Sequence, residues 1–387
     1  MVELVPSSEV VFSNAVFRQL SSATSGGLVC PQLQHLVWTS SYGWEPMQQF
    51  LSPHLTSVFF NEEYKTEPNT DPALTPTISL LPTTHLEDLS FNIYPPPTVL
   101  FEVVQRLRPC FKSLATCSSL SEAAWEHLGS LPKLERLRVS DTPCTEIFKS
   151  IPRRNTFPAL QSIEIGMNDA HQPWSHLFSL LESSPLQEVT VTPSCRIQCV
   201  GVPGQVLIAM LEAKLQRSVN SLTFSGSHPT DLMFLSYIGQ FSYLKTLKCT
   251  SRCLWQGQCI SPLTDSDIER LTSGLPQLVA VWLGHECRCT RHNTTIKSLI
   301  SFSTHCPSLD DLCFPCDLTN VSEDAKTESG VPDPRLEILS CCKLRFLCLS
   351  WVVLPSPDDV EALRTVTSAL DHLFPCFHPG ADWGFIR

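Results

Sequence analysis

The sequence predicts an α/β solenoid, a curved parallel sheet of short strands with helices on its convex side, and three observations carry that reading. One theme recurs along the chain: "CPQLQHLVW" from Cys30, "LPKLERLRV" from Leu131 and "LPQLVAVWL" from Leu275 are three of its copies. Each copy opens on a small residue or proline and continues as L-x-x-L-x-L, so its apolar side chains alternate toward one face of a strand. Measured at the first leucine, the copies run from Leu33 to Leu344 in eleven steps of about 28 residues, a length typical of leucine-rich repeats. One strand and one helix of this size cannot bury their own apolar faces, so successive units must stack, giving a leucine-rich-repeat solenoid of about eleven or twelve irregular units.

The remaining strands follow in order. They are "LSPHLTSVFF" from Leu51, "LPTTHLEDLSF" from Leu81, a weaker "FKSLATCSSL" from Phe111, "FPALQSIEI" from Phe157, "SSPLQEVTV" from Ser183 and "SVNSLTF" from Ser218. "FSYLKTLKC" from Phe241, "CPSLDDLCF" from Cys306 and "CCKLRFLCL" from Cys341 complete the set. Between them, Pro97 to Phe111, His176 to Ser184, Gly204 to Arg217, Ser266 to Leu275 and Thr294 to Cys306 place apolar residues at intervals of three and four, which predicts one-sided helices. In "LTDSDIERL", Asp265 or Ser266 is expected to cap the helix, with Glu269 as the acid reaching back.

Spacing between copies varies from 20 residues (Leu114 to Leu134) to about 35 (Leu309 to Leu344), so connecting loops must differ in length. We expect a lead-in or partial cap over 1–29, repeats over 30–374 with loop insertions near 249–265 and 317–335, and a tail over 375–387. The second insertion is polar and acidic, as a surface loop would be.

Composition excludes several classes. Hydrophobic residues make up 42% of the 387-residue chain and charged residues 17%, a balance that folds. Thirty-one prolines against 15 glycines suit many short elements opened by proline better than a phosphate-cradling loop. A formal net charge of -11, with no basic run, argues against nucleic acid and against an anionic membrane surface. No membrane-length apolar stretch and no signal peptide are evident, so a cytoplasmic or nuclear location is expected, with the 18 cysteines mostly reduced core filler. In that setting the sequons at Asn293 and Asn320 carry no meaning.

Together, "CPQLQHLVW", "LPKLERLRV", "FPALQSIEI" and "LTDSDIERLTSGLPQLVAVWLGHECRC" resemble the irregular leucine-rich-repeat region of the large F-box protein family of mushroom-forming fungi, over most of the chain from about Cys30 to Phe374. The resemblance implies substrate recognition for a cullin-based (SCF) ubiquitin ligase. An F-box upstream of the repeats would dock on a Skp-type adaptor, and the repeats would recruit a protein substrate. Residues 1–29 are too short to hold an F-box. The chain is therefore expected to be either a shortened or partial product, with adaptor binding only if an F-box lies upstream, or a stand-alone repeat scaffold with no ubiquitin role.

Candidate chemistry is sparse. His285, Cys287, Cys289 and His292 offer zinc-type donors, but C-x-C lacks the two-residue turn of a zinc knuckle and no second knuckle follows; Cys253, Cys259, Cys313 and Cys316 could complete a site only across repeats. The favoured reading is a strand-exit loop. Cys249, Cys253 and Cys259 receive the same reading. "GVPGQV" at Gly201 lacks the third glycine of a dinucleotide fingerprint and the lysine of a phosphate loop, and no G-x-S-x-G occurs, so neither enzyme activity, cofactor nor metal is expected.

Recognition is assigned to the strand positions that point away from the core. These are His35, Val37, Asp88, Ser90, Arg136, Arg138, Ser162, Glu164, Glu188, Thr190, Thr246, Lys248, Trp282, Asp311 and Phe346. Among them, Arg136, Arg138, Glu164, Glu188, Lys248 and Trp282 are the candidate protein-binding residues of the concave face, and Trp282 offers the largest apolar area.

Overall fold

Each strand is introduced by a turn that its own sequence dictates. In "CPQL", "SPHL", "FPAL", "LPQL" and "CPSL" the residue before proline accepts from the backbone N–H three residues on: Leu33 to Cys30 at 3.1 Å, Leu55 to Ser52 at 3.2 Å, Leu160 to Phe157 at 3.2 Å, Leu278 to Leu275 at 3.3 Å and Leu309 to Cys306 at 3.0 Å. Proline fixes φ at the second position of such a turn and has no N–H to lose. The abundant prolines thus mark where helix gives way to strand.

The computed structural model describes residues 3–4, 14–24, 27–61, 73–140, 148, 151, 156–167, 174–193, 202–225, 232–250, 263–283, 293–319, 344–349 and 359–373. The chain divides into two compact units, Met1–Leu186 and Gln187–Arg387.

The first unit contains β1 (Glu3–Leu4), α1 (Asn14–Ala23), β2 (His35–Thr39), β3 (Ser57–Asn61), α2 (Leu74–Ser79), β4 (Asp88–Asn92) and α3 (Pro97–Arg106). It continues with β5 (Ser113–Thr116), α4 (Glu122–Ser130), β6 (Arg136–Val139), β7 (Ser162–Met167) and α5 (Trp174–Leu180), while short 3-10 segments at Ser40–Tyr42 and Glu45–Phe50 stand between β2 and β3. β1 to β7 pair parallel in chain order. The second unit contains β8 (Glu188–Pro193), α6 (Val202–Glu212), β9 (Ser221–Ser225), α7 (Leu232–Ile238), β10 (Thr246–Thr250) and α8 (Asp265–Gly274). β11 (Ala280–Leu283), α9 (Ile296–His305), β12 (Asp311–Phe314), β13 (Phe346–Leu349) and α10 (Val360–Leu373) follow. β8 to β13 again pair parallel in chain order.

Parallel strands in chain order, most of them with a described helix between them, and a repeating leucine register together make the fold an α/β leucine-rich-repeat solenoid, as the sequence predicts. Register places Leu36, Val58, Leu89, Leu114, Leu137 and Ile163 side by side in the first unit, each at most 2% exposed. Val189, Leu222, Leu247, Val281, Leu312 and Leu347 form the equivalent row in the second, all buried. Each such aliphatic contributes roughly 1.5–3 kcal/mol on leaving water. Cys249 occupies a core rung of the same kind, and burial pushes its thiol far above the ordinary range, which keeps it protonated. The eight cysteines among the described residues are all thiols.

Three expectations need correction. The copy at Phe111 begins three residues earlier than its leucine suggests, because Leu114 lies opposite Leu89 and Leu137, the second position of the motif. Phe111, fully buried, fills the first position, so the step from Leu114 to Leu134 is not a repeat length. The cap of α8 is Thr264, whose side chain accepts from Asp267 N at 3.3 Å while the Asp267 carboxylate takes Thr264 N at 3.0 Å. Asp265 and Ser266 do not cap it, and Glu269 lies too far along to reach back. Helix limits also shift by a few residues; α3, for example, ends at Arg106, where the proline of "RPCF" forbids another turn. Two insertion loops, near 249–265 and 317–335, fall mostly outside the described residues.

Asp265 is used differently. Its carboxylate accepts from Thr295 N and Thr295 Oγ1, both at 2.8 Å, and from Ser298 Oγ at 2.5 Å. An acid in the first turn of one helix thus closes the N-terminus of the next, where unpaired N–H groups favour negative charge.

Two stability outcomes follow. A Cβ on Gly166 would stand 1.8 Å from the carbonyl oxygen of Ser140. Gly166→Ala therefore forces β6 and β7 apart at that point and costs about 1–3 kcal/mol or more in urea unfolding. Asp265→Ala strips three donors of one charged acceptor and costs about 2–4 kcal/mol by the same assay; a loss below 0.5 kcal/mol would show that water replaces it.

Candidate protein-binding surface

The residues between the motif's buried positions form rows across the strand face, because register carries each position onto its counterpart. In the first unit one row reads Asp88, Ser113, Arg136, Ser162 and the next reads Val37, Phe59, Ser90, Ala115, Arg138, Glu164. The small residues on β5 matter. Ser113 leaves room for Arg136 to reach past it to Asp88 two strands away, Nη2 to Oδ1 at 3.0 Å. Arg138 pairs with adjacent Glu164, Nε to Oε1 at 3.2 Å. Beside these rows Lys112 Nζ meets Glu87 Oε2 at 2.6 Å, and that hydrogen bond is the main cause of its raised pKa. Asn92 Nδ2 donates to Asn61 Oδ1 at 2.7 Å further along the strands. Within this set every cation has its carboxylate.

The second unit is built differently. Its outer rows read Glu188, Ser221, Thr246, Ala280, Asp311, Phe346 and Thr190, Thr223, Lys248, Trp282, Cys313, Cys348. Hydroxyls dominate on β8 to β10, and aromatic rings on β11 and β13. The Trp282 and Phe346 centroids are 6.2 Å apart with planes 13° from parallel. Their strands flank β12 and stand nearly 10 Å apart at ordinary spacing, so the rings lean together over β12. That accounts for Cys313, which sits at an outward position yet is fully buried. Trp282 Nε1 donates to Asp311 Oδ2 at 2.7 Å, while Asp311 Oδ1 is buried with no hydrogen-bond partner among the described residues. Lys248 Nζ lies 4.9 Å from the Trp282 ring centroid, a cation–π contact worth about 0.5–1 kcal/mol at a partly exposed site. Phe346 remains 42% exposed. At the edge of the face Arg345 forks onto Asp310 through both Nε and Nη2. The guanidinium's hydrogen bond holds the Asp310 carboxyl below the usual carboxylate range.

All six candidate residues therefore lie on the strand face, in two sets: Arg136, Arg138 and Glu164 in the first unit, and Glu188, Lys248 and Trp282 in the second. Sequence reading missed the pairs Glu87–Lys112 and Asp310–Arg345, which precede the strands by one residue, and the hydroxyl floor of Ser221 and Thr223. Both could have been found by aligning the copies residue by residue. His285, Cys287, Cys289 and His292 lie outside the described residues, as do Cys253 and Cys259. Among the described residues no group of three or more His, Cys, Asp or Glu side chains could hold a metal ion, and no helix is long and apolar enough to cross a membrane.

No family model matches the chain, and no curated protein matches it. Among solved structures, the leucine-rich repeat domain of APL1B is similar at 10% sequence identity, with 90% of this chain and 75% of that chain covered and a TM-score of 0.25. Strand order and register, rather than that likeness, establish the fold.

The paired charges on the first unit's face do little for stability. Asp88→Asn and Glu164→Gln are each expected to change unfolding free energy by less than about 1 kcal/mol, since water screens both pairs; urea denaturation measures this. For Asp310, a folded pKa below the unfolded one means its stabilising contribution is present above the ordinary aspartate pKa and is lost as pH falls through the depressed value. Arg345→Met should raise the Asp310 titration midpoint, read from its side-chain carboxyl carbon by NMR.

Proposed function

We propose that this chain is a non-enzymatic protein-binding module whose strand face selects a protein partner. One observation carries the reading: Trp282 and Phe346 stack on the open face of the sheet, with Phe346 substantially exposed, where neither ring adds to the leucine core behind the strands. Large aromatic area held rigidly on a polar face is what interface hot spots are made of. The charged pairs around it suit a polar rim, since they fix orientation and reject mismatched partners more than they add affinity.

The finer role we propose is substrate recognition for an F-box type ubiquitin ligase, and its support is the ordered set of repeat motifs described above. In that role the repeats position a target protein, and ubiquitin transfer is performed by other subunits. A stand-alone leucine-rich-repeat scaffold with no ubiquitin role is the second reading, supported by the repeat architecture alone.

A pull-down with a Skp-type adaptor separates the two. The 387-residue chain should fail to retain the adaptor, and the same chain extended upstream in its reading frame should retain it. Failure of the extended chain overturns the ligase role and leaves the scaffold.

A further inference from the structure

Of the cations at outward positions on the described strands, Lys248 is set apart. Lys112, Arg136, Arg138 and Arg345 each meet a carboxylate. Among the described residues no carboxylate lies within ion-pair distance of Lys248, and its ammonium rests over Trp282 instead. Its surroundings are those of an anion receptor. Register puts Thr223 beside it on β9 and Trp282 beside it on β11, and Thr246 and Thr250, two residues before and after it, share its face. The threonine hydroxyls can turn to donate. By register Glu188 on β8 and Asp311 on β12 each stand two strands from Lys248, and Asp311 is engaged by the Trp282 indole.

We infer that Lys248 is the receptor for an acidic side chain of the bound protein, and that the Trp282–Phe346 stack beside it receives an apolar residue of the same segment. The inference rests on the protein-binding reading and deepens it by giving the partner's chemistry. Charge complementarity selects the occupant: a cation that no described carboxylate meets, set amid hydroxyls, calls for a carboxylate, and the exposed Phe346 ring calls for an aliphatic or aromatic neighbour. Spacing adds a constraint. The Lys248 ammonium is 4.9 Å from the Trp282 centroid and the Phe346 centroid is 6.2 Å from that of Trp282, so the cation and the exposed ring are at most about 11 Å apart. An extended peptide laid across the strands covers that distance in about two to four residues at roughly 3.3 Å each. The expected segment therefore pairs Asp or Glu with a large apolar residue at that separation.

Display selection of random dodecapeptides on the full chain tests this. The wild type should enrich peptides carrying an acid near a large apolar residue. A representative synthetic peptide should bind Lys248→Met about tenfold more weakly and should lose affinity as salt is raised. Lys248→Met keeps an unbranched stem against Trp282, so an unchanged thermal melt shows that the fold is intact. Lys248→Glu should shift the selection toward basic peptides, whereas Arg138→Met, on the other unit, should leave it unchanged. Selected peptides without acidic enrichment, or bound equally by Lys248→Met, overturn this inference while leaving the protein-binding reading in place. Recovery of no peptide by the wild type overturns both.

Discussion

One backbone interaction recurs through this chain and the rest depends on it: within each compact unit the carbonyl of the residue after the motif's first apolar position accepts two successive N–H groups from the next repeat. Thr56 O takes Glu87 N and Asp88 N at 2.8 and 3.0 Å, Lys112 O takes Glu135 N and Arg136 N at 2.8 and 3.0 Å, and Lys245 O takes Val279 N and Ala280 N at 2.7 and 3.0 Å. The same bond recurs at Asp310 O, which takes Arg345 N and Phe346 N at 2.9 and 3.0 Å. A carbonyl with both lone pairs used leaves no freedom to slip, and a slip of one residue would turn every leucine outward. Register is therefore fixed at the start of each strand, before the side chains have to choose a face.

Once register is fixed, residues far apart in sequence become neighbours in a predictable order. Arg136 finds Asp88 because both occupy the same motif position and Ser113 between them is small. Lys248, Trp282 and Cys313 are likewise one motif position read across three strands. The scaffold imposes little on these residues, and their differences are what distinguish one repeat protein from another. The first unit places mutually compensated charges there, while the second places hydroxyls, a lysine over an indole ring and a pair of stacked rings.

Strands were legible because L-x-x-L-x-L states both the period and the buried face. The fold class and the outward positions followed from that alone. What was not legible had specific physical causes. Phe111 fills a leucine position, so spacing counted on leucines misplaced that copy by three residues. Asp265 looks like a cap for the helix it begins, yet its carboxylate serves Thr295, thirty positions on, a partner that no local pattern announces. The Trp282–Phe346 stack depends on two rings leaning across an intervening strand, which requires knowing that β12 lies between them. The histidine–cysteine cluster after β11 was the most conspicuous local pattern in the chain, whereas the outward rows are built from residues that look ordinary until aligned.

The use of Asp265 bears on how this molecule comes apart. Repeat proteins whose units meet only through apolar area can fray one unit at a time, because each interface is a sum of small independent contributions. A single carboxylate that completes the start of α9 while sitting in the first turn of α8 makes the two helices share one electrostatic element. Neither can unwind its first turn without leaving charge or donors of the other exposed to incomplete solvation. The two repeats that frame Trp282 are therefore coupled through one carboxylate, and loosening either helix start is expected to loosen the other.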